Sequence, residues 1–309
     1  MGDLDASQFD AAGRLLADAY PHRAHEVRTW NRPAAQERPR RWAAVLDSVP
    51  TLAGYAAIWH VERGKYRVDV IVDRACRRRG IGARLLDVAI DEATRAEAVT
   101  VQARAYADCP EALAFLHRRG FVETMRMHGA WLDLARVDER LLSEHAREGD
   151  GVAIAAVSDA DVNDERFWRR MCDLQSAARE GWPDPDPGGP METVSESDMR
   201  RMLLAGGALP LAFFVARRGE ELVGYSAVAA LGPGSEAQFA ATAVRPDMRG
   251  RGIATALRAR GLLSAKTAGV RTVRSSSGNP WLLRINARFG FVPAYCEVRL
   301  VKPTRGEAR

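Results

Sequence analysis

A repeated motif constrains this chain more than any other feature. Arg77-Arg78-Arg79-Gly80-Ile81-Gly82 opens one stretch of helical periodicity, and Arg249-Gly250-Arg251-Gly252-Ile253-Ala254 opens another, 172 residues later. A Gly-Phe pair follows each copy, Gly120-Phe121 and Gly290-Phe291, 170 residues apart. Both copies run in the same order: strand, basic glycine turn, helix, strand, helix, Gly-Phe. One short glycine motif is weak. Two in the same context imply a duplicated domain that cradles phosphate.

The length, 309 residues, suits two domains of ordinary size, and 47% apolar residues allow each half its own core. No apolar run is long enough to span a bilayer. The N-terminus lacks the layout of a secretory signal, so a cytoplasmic protein with no membrane partner is expected. Cys76, Cys109, Cys172 and Cys296 stand far apart, without metal-ligand spacing or a disulfide framework. No metal is expected. Residues 1–150 are neutral, and residues 151–309 carry the whole excess of +5. Basic residues are interspersed with acidic ones, so a nucleic-acid partner is not expected; a cleft for a phosphorylated ligand accounts for the charge.

Periodicity predicts a helix over 4–20, with Phe9, Leu15, Leu16 and Ala19 as its apolar stripe. Strands are expected at 42–46, 52–61 and 66–72, then the first motif helix with Ile81, Leu85, Leu86, Ala89, Ile90 and Ala93 on one face. A strand at 99–103, a helix at 111–118 and strands at 121–127 and 130–134 complete the first copy. The charged stretch 136–150 reads as a linker between a domain at 1–135 and one at 151–309. The second copy begins with a strand at 152–157 and a helix capped by Ser158 or Asp159, running to about 178. The Pro- and Gly-rich run 181–190 is a loop or lid containing Trp182. Strands at 211–216, 222–231 and 237–244, the second motif helix, a strand at 270–275, a helix at 280–288 and closing strands at 291–301 follow. The fold class is α/β with a mixed sheet in each half. There is no G-x-G-x-x-G fingerprint and no Gly-Lys-Ser/Thr, which excludes Rossmann and Walker A readings.

A strand that turns into a helix N-terminus leaves backbone N–H groups unpartnered and adds a partial positive charge. That combination binds phosphate. Gly80 and Gly82, or Gly252 and Ala254, keep side chains out of the way, and flanking arginines add charge-assisted hydrogen bonds. The bland alternative is a tight helix start with solvated arginines; the second copy weighs against it.

Arg77-x-x-Gly80-x-Gly82 and Arg249-x-x-Gly252-x-Ala254 resemble the R/Q-x-x-G-x-G/A pyrophosphate signature of the GNAT acetyltransferase superfamily. Nearly the whole chain resembles a tandem of two GNAT domains, the layout of the group that includes mycothiol synthase. The resemblance implies acetyl-CoA as cofactor, a splayed and mostly antiparallel sheet, and direct acyl transfer to an amine. It places Arg77, Arg78, Arg79, Gly80, Ile81, Gly82 and Ala83 in one copy on the cofactor. In the other copy it places Arg249, Gly250, Arg251, Gly252, Ile253, Ala254 and Thr255 there. The pantetheine arm is assigned to Val70, Ile71 and Val72, and to Thr242, Ala243 and Val244.

Family members often carry an Asn and, seven residues later, a Tyr that protonates the leaving thiolate. The second copy has Asn279 and Asn286; the first has Cys109 and Leu116. Asn279 is expected to steady the cofactor, to cap the helix begun by Pro280, or both. Asn286 can donate a hydrogen bond but is no acid. Glu236 is the candidate base, or a plain strand-end carboxylate. Tyr295 and Tyr225 are candidate replacement acids, or plain core or surface tyrosines, and Asp69 in the first half has similar standing. Catalysis is expected in the second domain, on a small-molecule or peptide amine, by a monomer or homodimer. The alternative is a non-catalytic CoA-binding or regulatory module with decayed sites.

Overall fold

The computed structural model describes residues 2–5, 8–22, 39–46, 52–62, 64–149, 151–180, 194–204, 209–232 and 234–304. Residues 23–38 and the Trp182 loop expected at 181–190 lie outside them. The first copy runs β1 (Gly2–Asp3), α1 (Phe9–Ala19), β2 (Arg40–Ala44), β3 (Gly54–Glu62), β4 (Lys65–Val72), α2 (Ile81–Arg95), β5 (Thr100–Tyr106), α3 (Pro110–Arg118) and β6 (Val122–Asp133). Then come α4 (Glu139–His145), β7 (Ala153–Ala156), α5 (Asp159–Asn163), α6 (Glu165–Arg179) and α7 (Glu196–Leu203). The chain closes with β8 (Ala212–Arg218), β9 (Glu221–Ala230), β10 (Glu236–Val244), α8 (Ile253–Thr267), β11 (Thr272–Ser277), α9 (Pro280–Arg288) and β12 (Val292–Pro303).

Contacts divide the chain into two units. Unit 1 takes in the described residues of Met1–Arg126 and Cys296–Arg309; unit 2 takes in those of Met127–Pro183 and Thr193–Tyr295. In unit 1, β1 to β4 pair antiparallel in sequence order. β4 then pairs parallel with β5, but only through Arg67↔Gln102, so 68–72 diverges from β5. In unit 2, β7 to β10 are likewise antiparallel neighbours. β10 pairs parallel with β11 from Glu236↔Thr272 to Gln238↔Arg274 and then leaves it. Each unit therefore contains a forked sheet, with a β-bulge between Phe239 and Ala241 where β10 opens.

The last strand of each copy completes the sheet of the other unit. Residues 297–303 of β12 pair with β5 in unit 1, and 128–133 of β6 pair with β11 in unit 2. The two strands expected at 121–127 and 130–134 are one continuous strand. Val298 and Leu300 join the core around Leu85 and Leu86. Leu132 and Leu134 join the core around Leu262 and Phe289.

Other differences have local causes. α1 starts at Phe9, because 2–3 are drawn off as a strand against Ala43 and Trp42. The helix expected from 159 to 178 is broken at Asp164. That residue ends α5 through its N–H to Asp161 O, and its side chain caps α6 by accepting from the Arg166 N–H. α7, not anticipated, begins on a Ser195 cap. The expected linker 136–150 contains α4, whose Leu142 is fully buried.

Candidate functional site

The two glycine turns have the same geometry. Gly80 (φ 77°) and Gly252 (φ 80°) are left-handed N-caps of α2 and α8, with no side chain satisfying the first helical N–H groups. Two residues earlier, Arg78 (φ 63°) and Gly250 (φ 79°) are also left-handed. A Cβ on Gly80 or Gly252 would meet nothing within 4 Å, so glycine is required there by backbone conformation rather than by crowding. This is the uncapped mouth that the sequence implies.

The flanking arginines do different work. Arg77 Nε donates to Val72 O (3.2 Å), and Arg249 Nε donates to Val244 O (3.3 Å), tying each turn to its strand. Arg249 Nη2 also donates to Ala178 O (2.9 Å) and Glu180 O (3.2 Å), where α6 ends. The Arg249 guanidinium thus pins the turn. Arg78 and Arg79 are exposed. Arg251 lies on a small cavity of about 180 Å³ that Glu144 and Glu148 also line.

The larger cavity belongs to unit 2 and holds about 780 Å³. It runs from Thr242, Ala243 and Val244 past Gly252, Ile253, Ala254 and Thr255 to α9. Its volume falls within the usual range for small-molecule sites. Its cations are Arg249, Arg284 and Arg288, and among the described lining residues there is no carboxylate. Trp281, 68% exposed, stands at the rim with Arg284 Cζ 4.6 Å from its ring centroid. Asn279 lines the cavity and also caps α9, its Oδ1 accepting from the Trp281 N–H at 2.9 Å.

The corresponding place in unit 1 has different residues. The 170-residue offset sets Glu111 opposite Trp281 and Phe115 opposite Ile285. Glu111 pairs with Arg77 (3.4 Å), bringing an acid beside the turn. A Cβ on Gly82 would sit 3.3 Å from Val72 Cγ2 and 3.9 Å from Phe115 Cζ. Val70 is partly buried and Ile71 and Ile81 buried; Ala83, on the first turn of α2, is partly buried.

The proposed acid and base residues are not brought together. Glu236 sits at the paired end of β10, eight residues before Val244, roughly 25 Å along the strand. Its carboxylate accepts from Arg274 Nη2 at 2.7 Å. Tyr295 packs its ring over Gly129, whose lack of a side chain makes room for it. Tyr225 is fully buried and donates to Gln175 Oε1 at 2.7 Å; burial pushes its phenol pKa well up. Asp69 is buried against Trp59 Nε1 (3.0 Å) and Arg104 Nε (3.1 Å). Asn286, a candidate cofactor-binding and catalytic residue from the resemblance, is 2% exposed and turned inward. Its Oδ1 accepts from Arg258 Nη2 (2.6 Å), and its Nδ2 donates to Ser275 Oγ (3.1 Å).

Arg258 is the residue that sequence reasoning missed. It is fully buried on α8 and bridges the fork: Nη1 donates to Thr242 Oγ1 (3.2 Å) on β10, and Nη2 to Ser275 Oγ (3.0 Å) on β11. Its Cζ lies 3.5 Å from the Phe239 ring centroid. The signal was present in the repeat. The 172-residue offset sets Leu86 opposite Arg258, Val70 opposite Thr242 and Ala103 opposite Ser275, and the 170-residue offset sets Leu116 opposite Asn286. Four apolar residues in one copy answer to four polar ones in the other.

A forked mixed sheet beside a glycine-led helix without a side-chain cap is the arrangement of an acyltransferase fold. The Acetyltransferase (GNAT) family model matches residues 8–121 and 168–291, and the chain belongs to that family of acetyltransferases. A protein named mycothiol acetyltransferase from Cellulomonas flavigena is 28% identical over 277 residues, 86% of this chain and 75% of its own. One of the same name from Sanguibacter keddieii is 26% identical over 274 residues, 85% of this chain and 82% of its own. A solved GCN5-related N-acetyltransferase from Sphaerobacter thermophilus shares the fold at a TM-score of 0.75 and 19% identity, covering 98% of this chain and 95% of that one. A tandem GNAT protein from the clavulanic acid biosynthesis pathway does so at 0.72 and 19% identity, covering 99% and 98%. No helix among the described residues is long and apolar enough to cross a membrane.

Proposed function

We propose that this acetyltransferase moves an acetyl group from acetyl-CoA to an amine on a small molecule, and that unit 2 carries the reaction. The observation that carries this reading is the acid-free cavity of about 780 Å³ at the mouth of α8. The fit to the cofactor rests on the left-handed Gly250 and Gly252, the uncapped α8 amides and the cationic lining of that cavity. Backbone N–H groups from Gly252 to Thr255 would hold the diphosphate, with Arg284 and Arg288 from α9 adding charge. The edge of β10 from Phe239 to Val244, released from β11, would orient the pantetheine arm through backbone bonds. Trp281 offers a stacking face to the base, and Asn279 a side wall. When bound, acetyl-CoA supplies an activated acyl thioester. We take 1–135 and 151–309 as the two repeats, joined through 136–150. In the first, Glu111 puts an acid beside Arg77 and Phe115 stands near Gly82, and on that ground we assign unit 1 a scaffold role.

The acceptor class follows from the relatives' name, mycothiol acetyltransferase, which favours a small-molecule amine over a peptide. Calorimetric titration of the full chain with acetyl-CoA tests the cofactor assignment. One site per chain is expected, lost in Gly252→Val and kept in Gly80→Val. Absence of binding, or loss only in Gly80→Val, sinks it. A panel of amines, amino sugars and peptides then tests the acceptor class.

A further inference from the structure

Arg258 is a buried cation with no counter-ion among the described residues. It is 2% exposed, and burial alone, with no neighbouring carboxylate, sets its electrostatics among the described residues. Its partners, Thr242, Ser275 and Asn286, are neutral, and its Nε has no hydrogen-bond partner. A buried charge so placed is costly unless something compensates it. Unit 1 shows that the fold does not require it. There Leu86, Ala103 and Leu116 are buried in one apolar cluster, with Val70 packed against it. Unit 2, which holds this cation, also holds the cavity of about 780 Å³.

Its position is specific. The guanidinium spans the fork at the place where β10 and β11 have just lost their backbone pairing. One of its partners, Thr242, is a wall of the cavity, and another, Asn286, lies between the lining residues Ile285 and Arg288. A ligand anchored at Gly252 and led back along β10 from Val244 brings its distal end to this wall. On the reading given above, that end is the thioester.

We propose that Arg258, held behind the Thr242 wall in the fork of unit 2, is a positioning residue whose charge stabilises the sulfur anion released by acyl transfer. In that step the amine nitrogen bonds to the acyl carbon and the carbon–sulfur bond breaks. Its electron pair stays on sulfur as the thiolate, and the amine proton passes to solvent. A fixed cation behind a water-poor wall favours this product without being consumed. Because desolvation lowers the pKa of Arg258 only to about 9, it remains charged at neutral pH. The inference rests on unit 2 binding CoA.

The test uses full-length protein and CoA itself, and reads the ultraviolet absorbance of the thiolate against pH, with S-methyl-CoA as the blank. The bound thiol is expected to titrate about one unit or more below free CoA. Arg249, Arg284 and Arg288 also line the cavity, so Arg258→Met isolates the Arg258 share: CoA still binds, and the shift shrinks. Arg258→Lys, which keeps a charge, restores part of it. If the bound thiol titrates as free CoA does, or if Arg258→Met leaves the shift intact, the proposal is overturned. Should Arg258→Met fail to fold, the wild-type titration and Arg258→Lys still decide. Failure of the wild type to bind CoA removes the functional reading, and this inference with it; binding with an unshifted thiol removes only the inference.

Discussion

Grafting the unit 1 core into unit 2 separates stability from function at one place. The variant is Arg258→Leu, Thr242→Val, Ser275→Ala and Asn286→Leu. Desolvation lowers the Arg258 pKa from the ordinary arginine range to about 9, and at about 1.4 kcal/mol per unit this is on the order of 5 kcal/mol against the charged form. Three hydrogen bonds from the guanidinium to neutral acceptors offset this by roughly 1.5–3 kcal/mol each. The network as a whole therefore contributes little net stability. The graft removes both terms and buries apolar side chains instead, so it is expected to be neutral or to stabilise by about 1–4 kcal/mol. Because the folded pKa is below the unfolded one, the unfolded chain alone holds the proton from about pH 9 up to the ordinary arginine range. The destabilisation is thus full below pH 9 and fades as pH rises, and a comparison at pH 7 captures all of it. Arg258→Met alone behaves oppositely: Asn286 Oδ1 loses its donor, at about 1–3 kcal/mol. Equilibrium urea unfolding of wild type, graft and single variant measures all three. The reasoning is refuted if the graft loses more than about 3 kcal/mol, or falls below Arg258→Met.

Four further outcomes are expected. Trp281→Ala, at an exposed rim position, lowers CoA affinity about tenfold by calorimetry, in line with stacking energies of roughly 1–3 kcal/mol, and leaves the melting point unchanged. Arg249→Ala frees Val244 O, Ala178 O and Glu180 O; about 1–3 kcal/mol of stability is lost by urea unfolding, and CoA affinity falls as the turn loosens. Tyr225→Phe leaves the pH profile of acetyl transfer unmoved, since the phenol is buried on Gln175, while costing about 1 kcal/mol. Ser195→Ala costs about 1 kcal/mol as a lost α7 cap. The Ser195 hydroxyl and Arg201 hold the Asp198 carboxyl below its usual value of 3.8. That stability is present above pH 3.8 and lost as pH falls below it, so the variant's deficit shrinks in acid melts.

The glycine turns were legible because they are local. Gly80 and Gly252 must be left-handed, and a short motif encodes that directly. Strand order within each copy followed from alternation and turn residues. The exchange of final strands was not legible: 128–133 and 297–303 have the pattern of ordinary half-buried strands, and nothing local states which sheet receives them. The break at Asp164 hid within a continuous polar–apolar rhythm, since one cap residue ends one helix and starts the next. At the site, resemblance assigned roles by position, but burial decides orientation. Asn286 turned inward because Arg258 holds it there. Glu236 begins the correct strand but at its paired end. Arg258 itself was readable only by setting one copy against the other.

A crystal structure of the full chain grown with acetyl-CoA tests the central claim most directly. The account predicts the diphosphate on the amides from Gly252 to Thr255, the arm along β10 toward Thr242, and no ligand at Gly80. A nucleotide bound at Gly80 instead, or α8 carrying no diphosphate at saturating ligand, would contradict it.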